Sequence, residues 1–107
     1  YTYKVLGQSN PSATTATTLY TCGSASGAVV STISVCNQAA SAGTFRIAVR
    51  PAGATLAAQH YIAYDTAITA NNSTMLTLGI TLANTDVITV YASASTMSFA
   101  AFGSEIS

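Results

Sequence analysis

The segment FRIAVR, residues 45–50, alternates strictly between large apolar side chains and other residues. In an extended chain Phe45, Ile47 and Val49 fall on one side, because successive side chains of a β-strand point to opposite faces. The two arginines of the segment fall on the other side. This period-two pattern predicts a half-buried strand, and no segment shows a comparable helical stripe. The sequence therefore predicts an all-β fold.

The same alternation recurs along the chain between short groups of Gly, Pro, Asn and Ser that favour turns. It predicts strands at residues 2–8, 17–22, 28–37, 43–50, 59–65, 73–82, 86–93 and 97–103. Short strands at this spacing indicate one domain, residues 1–107, folded as an antiparallel β-sandwich of about eight strands, jelly-roll or immunoglobulin-like. Its expected core residues are Val29, Ile33, Val35, Phe45, Ile47, Val49, Leu76, Leu78, Ile80, Ile88 and Val90. The alanine-rich stretch 52–58 could hold at most a helical turn.

Charge is almost absent from this chain. Charged residues make up 6% of it, three positive and three negative, whereas an average soluble domain is about a quarter charged. Charge hydrates a surface and repels neighbouring molecules, so its scarcity suits a protein packed into an assembly. Three cations leave no electrostatic footprint for nucleic acid, and no membrane span or signal peptide is expected.

Residues that could perform chemistry are few and scattered. His60 is the one histidine, and no serine lies in a G-x-S-x-G or S-x-x-K context. The two cysteines and three carboxylates have no metal-ligand spacing. Asp65 and Asp86 are expected to stabilise turns at strand ends. We therefore expect no enzyme activity, no catalytic residue, no metal and no cofactor.

The two cysteines are expected to remain thiols. If residues 17–22 and 28–37 form a hairpin, Cys22 lies beside its turn and Cys36 at its far end, too distant for a disulfide. Cys36 ends an alternating apolar stretch and is expected to be buried as a small hydrophobe. A bond between subunits is the alternative.

Candidate interface residues come from the rare cations and from the ends of the chain. Arg46 and Arg50 share the outward face of their strand, where they either meet a partner or only solvate the sheet. Tyr1, Tyr3 and Phe102 are apolar residues near the ends, where a neighbouring copy could hold them. We expect a homo-oligomer, specifically a homotrimer. A sugar-binding site is less favoured because the tyrosines are spread out and tryptophan is absent.

Segments at residues 4–9, 18–21, 28–37, 45–51, 60–65, 76–82, 86–93 and 102–106 together span most of the chain. With these segments the chain resembles small virion proteins and tail-associated modules of tailed bacteriophages, notably cyanophages and other aquatic phages. It departs from them at Cys22-Gly23, where such proteins often carry an apolar residue and a proline.

This resemblance implies an accessory structural role on the outer surface of a virion. The first interpretation is a capsid decoration (cement) protein that binds the major capsid protein and bridges neighbouring subunits of the head shell. The alternative is a neck or tail component, such as a collar, a fibre-attachment module or a receptor-binding module. A subunit of an extracellular filament is a further alternative.

Overall fold

The computed structural model of the chain describes residues 2–23 and 26–105, and for residues 2–4 and 78 only the backbone. Its strands are β1 (Thr2–Ser9), β2 (Thr17–Thr21), β3 (Ala28–Asn37), β4 (Gly43–Arg50), β5 (Tyr61–Ile68), β6 (Ser73–Leu82), β7 (Val87–Ala92) and β8 (Met97–Glu105). Two 3-10 turns, Pro51–Gly53 and Ala58–His60, lie between β4 and β5. All eight predicted strands are confirmed, the largest shift being at β5, which begins and ends later than predicted.

The strands form two four-stranded antiparallel sheets. The first sheet has the order β1-β8-β3-β6 and the second has the order β2-β7-β4-β5. Pairing is nested, since β1 pairs with β8, β2 with β7, β3 with β6 and β4 with β5. This arrangement is the jelly roll, so the predicted β-sandwich is confirmed and its topology is resolved. The hairpin considered for β2 and β3 is wrong, because those strands belong to different sheets.

The core lies between the two sheets. Phe45 of β4 and Phe99 of β8 meet edge to face there, with ring centroids 6.3 Å apart, and so join the sheets. The predicted core residues that are fully buried are Ile33, Val35, Phe45, Ile47, Ile88 and Val90. Three more are half-buried against them, namely Val49, Leu76 and Ile80. Leu78 is also a predicted core residue, but its side chain lies outside the part of the chain that the structure describes.

The prediction for Val29 is wrong. Val29 is only half-buried, whereas its neighbours Ala28 and Val30 are fully buried. The cause is a register shift between Val30 and Thr32, where β3 passes its partners β6 and β8. A β-bulge adds one residue and reverses which positions face inward, so even-numbered positions face the core before it and odd-numbered positions after it.

Residues 51–60, which we call the cover segment, fold over part of the outer face of the second sheet. Its two 3-10 turns pack against β7 and β4. Ala48 and Thr89 pair with each other on the face that points away from the core, yet they are 1% and 6% exposed. Asp86 fastens the segment by accepting a hydrogen bond from the Ala52 amide at 2.8 Å. It also accepts one from the Ala83 amide, which confirms its predicted role in a turn.

A polar contact joins the two sheets near the ends of β2 and β8. The hydroxyl of Tyr20 on β2 donates a 2.6 Å hydrogen bond to Oε2 of Glu105 on β8. Tyr20 is buried, and this burial, followed by the hydrogen bond to Glu105, raises the pKa of its phenol above the usual 10.0. The neighbouring thiol of Cys22, also buried, acts in the same direction. The contact therefore holds Tyr20 in its neutral form.

Candidate functional site

The exposed part of the second sheet carries an aromatic–arginine cluster, formed by Arg46, Tyr61, Tyr64, Asp65 and Tyr91. Arg46 points away from the core because it alternates with buried Phe45 and Ile47 along β4. Tyr91 is its direct partner on β7. The strand pairing thus places side chains from three strands on one patch of the sheet.

A bulge in the edge strand β5 brings Asp65 to Arg46. Phe45 pairs with Thr66 and Ile47 pairs with Ala63, so Tyr64 and Asp65 together oppose the single residue Arg46. Asp65 adopts a left-handed backbone conformation with φ of 48°. Aspartate tolerates this conformation better than most residues because its short side chain can bond locally. The bulge therefore presents a tyrosine and a carboxylate side by side.

Arg46 is held by three neighbours at once. Its Nε donates to Oδ1 of Asp65 at 2.6 Å, and its Nη2 donates to Oδ2 at 3.2 Å. The guanidinium carbon lies 4.2 Å from the ring centroid of Tyr64 and 4.3 Å from that of Tyr91. Both distances are typical of cation–π contacts. A forked ion pair and two aromatic rings leave the guanidinium little freedom to move.

Tyr61 extends this arrangement. Its ring meets that of Tyr64 edge-on, with centroids 4.9 Å apart and an interplanar angle of 85°. Among the described residues, none forms a hydrogen bond with the phenol hydroxyl of Tyr61, Tyr64 or Tyr91. Three ordered rings therefore present hydroxyls that can bond to a molecule outside the chain.

The cluster is electrically neutral and remains open to solvent. Hydrogen bonds from Arg46 lower the pKa of the Asp65 carboxyl below its usual 3.8, and the same pair raises the pKa of the guanidinium. Both groups are therefore ionised at neutral pH, and their charges cancel. The Asp65 side chain is 46% exposed, against 22% for Arg46, and Tyr64 is 58% exposed. Asp65 is thus not the turn-stabilising residue that its position predicted.

The outer face of the first sheet has a different character, and we call it the uncharged face. It consists of side chains that alternate with the buried residues of β8 and of β3 after its bulge, and of the residues paired with them. These are Val5, Gln8, Thr32, Ser34, Cys36, Ser73, Met75, Thr77, Ser98, Ala100 and Phe102. Val5, Phe102, Thr32 and Thr77 form one row across all four strands. Val5 is 48% exposed and Met75 is 68% exposed.

A shallow groove of about 390 Å³ runs across this face, lined mostly by small neutral side chains of β1, β3 and β8. Asn10 closes one end of it by donating to the carbonyl oxygens of Ser95 and Met97. Cys36 lines the groove and is half-exposed, so its predicted burial is wrong. It alternates with buried Val35 and must therefore face outward. No disulfide is found in the part of the chain that the structure describes.

The two predicted interface arginines have separate environments. Both lie on the outer face of the second sheet, but only Arg46 reaches the exposed cluster. Arg50 lies at the cover segment, where its Nη1 donates to the Ala54 carbonyl at 3.3 Å. Its Nε is buried and has no hydrogen-bond partner among residues 2–23 and 26–105. Arg50 is thus engaged by its own chain.

The predicted residues near the chain ends belong to the first sheet where they can be placed. Phe102 is half-buried on the uncharged face. The backbone of Tyr3 pairs with Ser104, and its side chain lies outside the described residues. Tyr1 lies outside them altogether.

The sequence pattern predicts the orientation of Arg46 but not its neighbours. Tyr61, Tyr64 and Asp65 lie in one short segment, which is a local signal of chemistry. Which of them faces Arg46 depends on the bulge in β5. The contribution of Tyr91 depends on strand pairing between distant parts of the chain. Neither feature can be read from a period-two pattern.

His60 and the possible metal ligands of the described residues lie apart from the aromatic–arginine cluster or form no group. Nδ1 of His60 accepts a hydrogen bond from the Ala57 amide at 3.1 Å, which fixes the imidazole in a turn. No three His, Cys, Asp or Glu side chains in the described part of the chain lie close enough to hold a metal ion. No helix among residues 2–23 and 26–105 is long and apolar enough to span a membrane. No protein family, curated protein or solved structure matches this chain in sequence or fold comparisons.

Proposed function

We propose that this chain is a non-enzymatic structural protein of a tailed-phage virion, specifically a capsid decoration protein. In this role it binds the outer head shell, bridges neighbouring capsid subunits and assembles as a homotrimer. The observation that supports the proposal best is the uncharged face. It spans four strands of the first sheet and carries no charged side chain among the described residues.

Burying a face of this kind in an assembly costs little free energy. Removing a charged group from water costs several kcal/mol unless it finds a partner, as an order-of-magnitude figure. The uncharged face avoids this cost, and the cores of protein interfaces are depleted in charge for the same reason. Exposed Val5 and Met75 add a gain of about 25 cal/mol for each Å² of apolar surface removed from water.

The jelly-roll fold is compatible with this role. Jelly rolls occur in viral capsid proteins, in lectins and in cupins, so fold alone does not decide among functions. Segments along the chain resemble small virion proteins, and this resemblance favours a viral role over that of a lectin or a cupin. The tail or neck role remains the alternative proposal, because the same face would also suit a collar or a fibre-attachment site.

The test is the copy number and position of the chain in purified particles from a cell that produces it. Quantitative mass spectrometry and cryo-electron microscopy of tagged particles measure both. A decoration protein gives hundreds of copies spread over the head. A few copies at the neck or tail would replace this proposal with the alternative, and absence from every particle would overturn both.

A further inference from the structure

We propose that the aromatic–arginine cluster binds a neutral carbohydrate. The site consists of Tyr61, Tyr64, Asp65 and Tyr91, with Arg46 as the residue that positions them. It lies on the second sheet, on the side of the sandwich opposite the uncharged face. The proposal therefore does not depend on the virion role, and either can fail alone.

The exposed groups of the cluster have the chemistry that binding a sugar requires. A sugar presents hydroxyl groups around its rim and apolar C–H groups on its ring faces. Asp65 offers carboxylate oxygens that accept two or more hydrogen bonds, and its side chain is 46% exposed. Tyr64 is 58% exposed and offers both an aromatic surface and a hydroxyl. These groups match the two kinds of surface on one sugar ring.

The groups of the cluster are held in place before any ligand arrives. Asp65 is fixed by two hydrogen bonds from Arg46, and Arg46 is fixed between the rings of Tyr64 and Tyr91. A weak ligand cannot supply the free energy to order mobile side chains, so ordering in advance favours its binding. A cluster meant only to keep the sheet soluble would not need this degree of order.

The paired charges of the cluster favour a neutral ligand. An anion would approach the Asp65 carboxylate, which stays ionised because Arg46 lowers its pKa. A cation would approach the Arg46 guanidinium, which carries a full positive charge. The charges of this pair cancel over the site, so neither ion gains much Coulomb energy there. A polyhydroxylated neutral molecule meets no such repulsion.

Affinity gel electrophoresis tests the proposal directly. The purified chain is run through native gels that contain dextran, mannan or galactan, with alginate as an anionic comparison. We expect retardation in at least one neutral polysaccharide and none in alginate. Tyr64→Ala and Asp65→Asn should each weaken the apparent affinity at least about tenfold, because each removes a direct contact. Arg46→Lys should weaken the apparent affinity less. A lysine cannot form the forked pair with Asp65, but it keeps the positive charge beside that carboxylate.

Met75→Ala serves as the matched control, because it removes an exposed side chain from the opposite face. It should leave retardation unchanged. Thermal unfolding of each variant separates loss of binding from loss of folding. The proposal fails if no neutral polysaccharide retards the chain, or if Tyr64→Ala and Asp65→Asn are retarded as strongly as the original. It also fails if no polysaccharide retards the chain and these variants no longer attach to virus particles. The cluster would then be a contact with another protein.

Discussion

The two outer faces of this jelly roll are built from the same pleated framework but present opposite chemistry. The face of the first sheet carries no charged side chain among its described residues and exposes Val5 and Met75. The face of the second sheet is part covered by residues 51–60, and its open part carries a forked ion pair between tyrosines. A surface of the first kind suits broad contact, whereas the second kind suits specific recognition.

The charged side chains that the structure describes each contact a specific partner within the chain. Arg46 and Asp65 pair with each other, and Asp86 fastens the cover segment through backbone amides. Arg50 donates to the carbonyl of Ala54 in that segment, and Glu105 accepts from Tyr20. The Arg46–Asp65 pair lies in the exposed cluster, whereas Asp86, Arg50 and Glu105 bind other parts of the fold. The average composition therefore does not show that the two outer faces differ in charge.

The largest expected effect on stability comes from a substitution in the core between the two sheets. Phe45→Ala should lower the free energy of unfolding by about 3–5 kcal/mol, because Phe45 is fully buried and joins the sheets through Phe99. Chemical denaturation measures the change. Phe102→Ala is the matched control on the uncharged face, where the ring is half-buried, and it should cost clearly less. Equal costs would mean that Phe102 belongs to the core.

A smaller effect on stability is expected at the contact between Tyr20 and Glu105. Tyr20→Phe removes the hydroxyl that donates to Glu105 and keeps the ring, so the expected loss is about 1.5–3 kcal/mol. Urea denaturation at neutral pH measures it. Tyr91→Phe is the control, because its hydroxyl has no hydrogen-bond partner among the described residues. A loss in Tyr91→Phe as large as in Tyr20→Phe would contradict the assignment.

The same contact predicts a pH dependence. Because the pKa of Tyr20 is raised in the folded chain, its contribution to stability is complete below the ordinary tyrosine pKa of 10.0. That contribution is lost as the pH rises above this value toward the raised pKa. Unfolding measurements between neutral pH and strong alkali should show this loss in the original chain and a weaker one in Tyr20→Phe. Parallel curves for the two proteins would show that Tyr20 is not the group responsible.

The smallest effect on stability is expected in the aromatic–arginine cluster. Asp65→Asn should hardly change the thermal midpoint, because the pair is exposed and screened by water. Since the pKa of Asp65 is lowered, its pairing with Arg46 is complete above the usual 3.8 and is lost only as the pH falls through the lowered value. Nuclear magnetic resonance of the carboxyl carbon measures this titration. A midpoint at or above 3.8 would contradict the forked pair.

The inner side of the sandwich was predictable from sequence, whereas much of the outer side was not. Buried Phe45 and Ile47 follow from strict alternation, which burial on one face enforces. The prediction for Val29 is wrong because a bulge in β3 reverses the alternation, and a single sequence carries no clear signal for a bulge. The pairing of Arg46 with Asp65 depends on another bulge, in β5. Burial of Ala48 depends on the cover segment, whose path the local pattern does not specify.

We propose that this chain joins an assembly through its uncharged face. Thr77→Lys places one charge on that face, and Thr18→Lys places the same charge on an exposed threonine of the second sheet. Co-sedimentation with virus particles that lack the chain measures attachment of each variant. We predict that Thr77→Lys abolishes attachment and that Thr18→Lys attaches like the original chain. Full attachment of Thr77→Lys, or selective loss in Thr18→Lys, would contradict the claim.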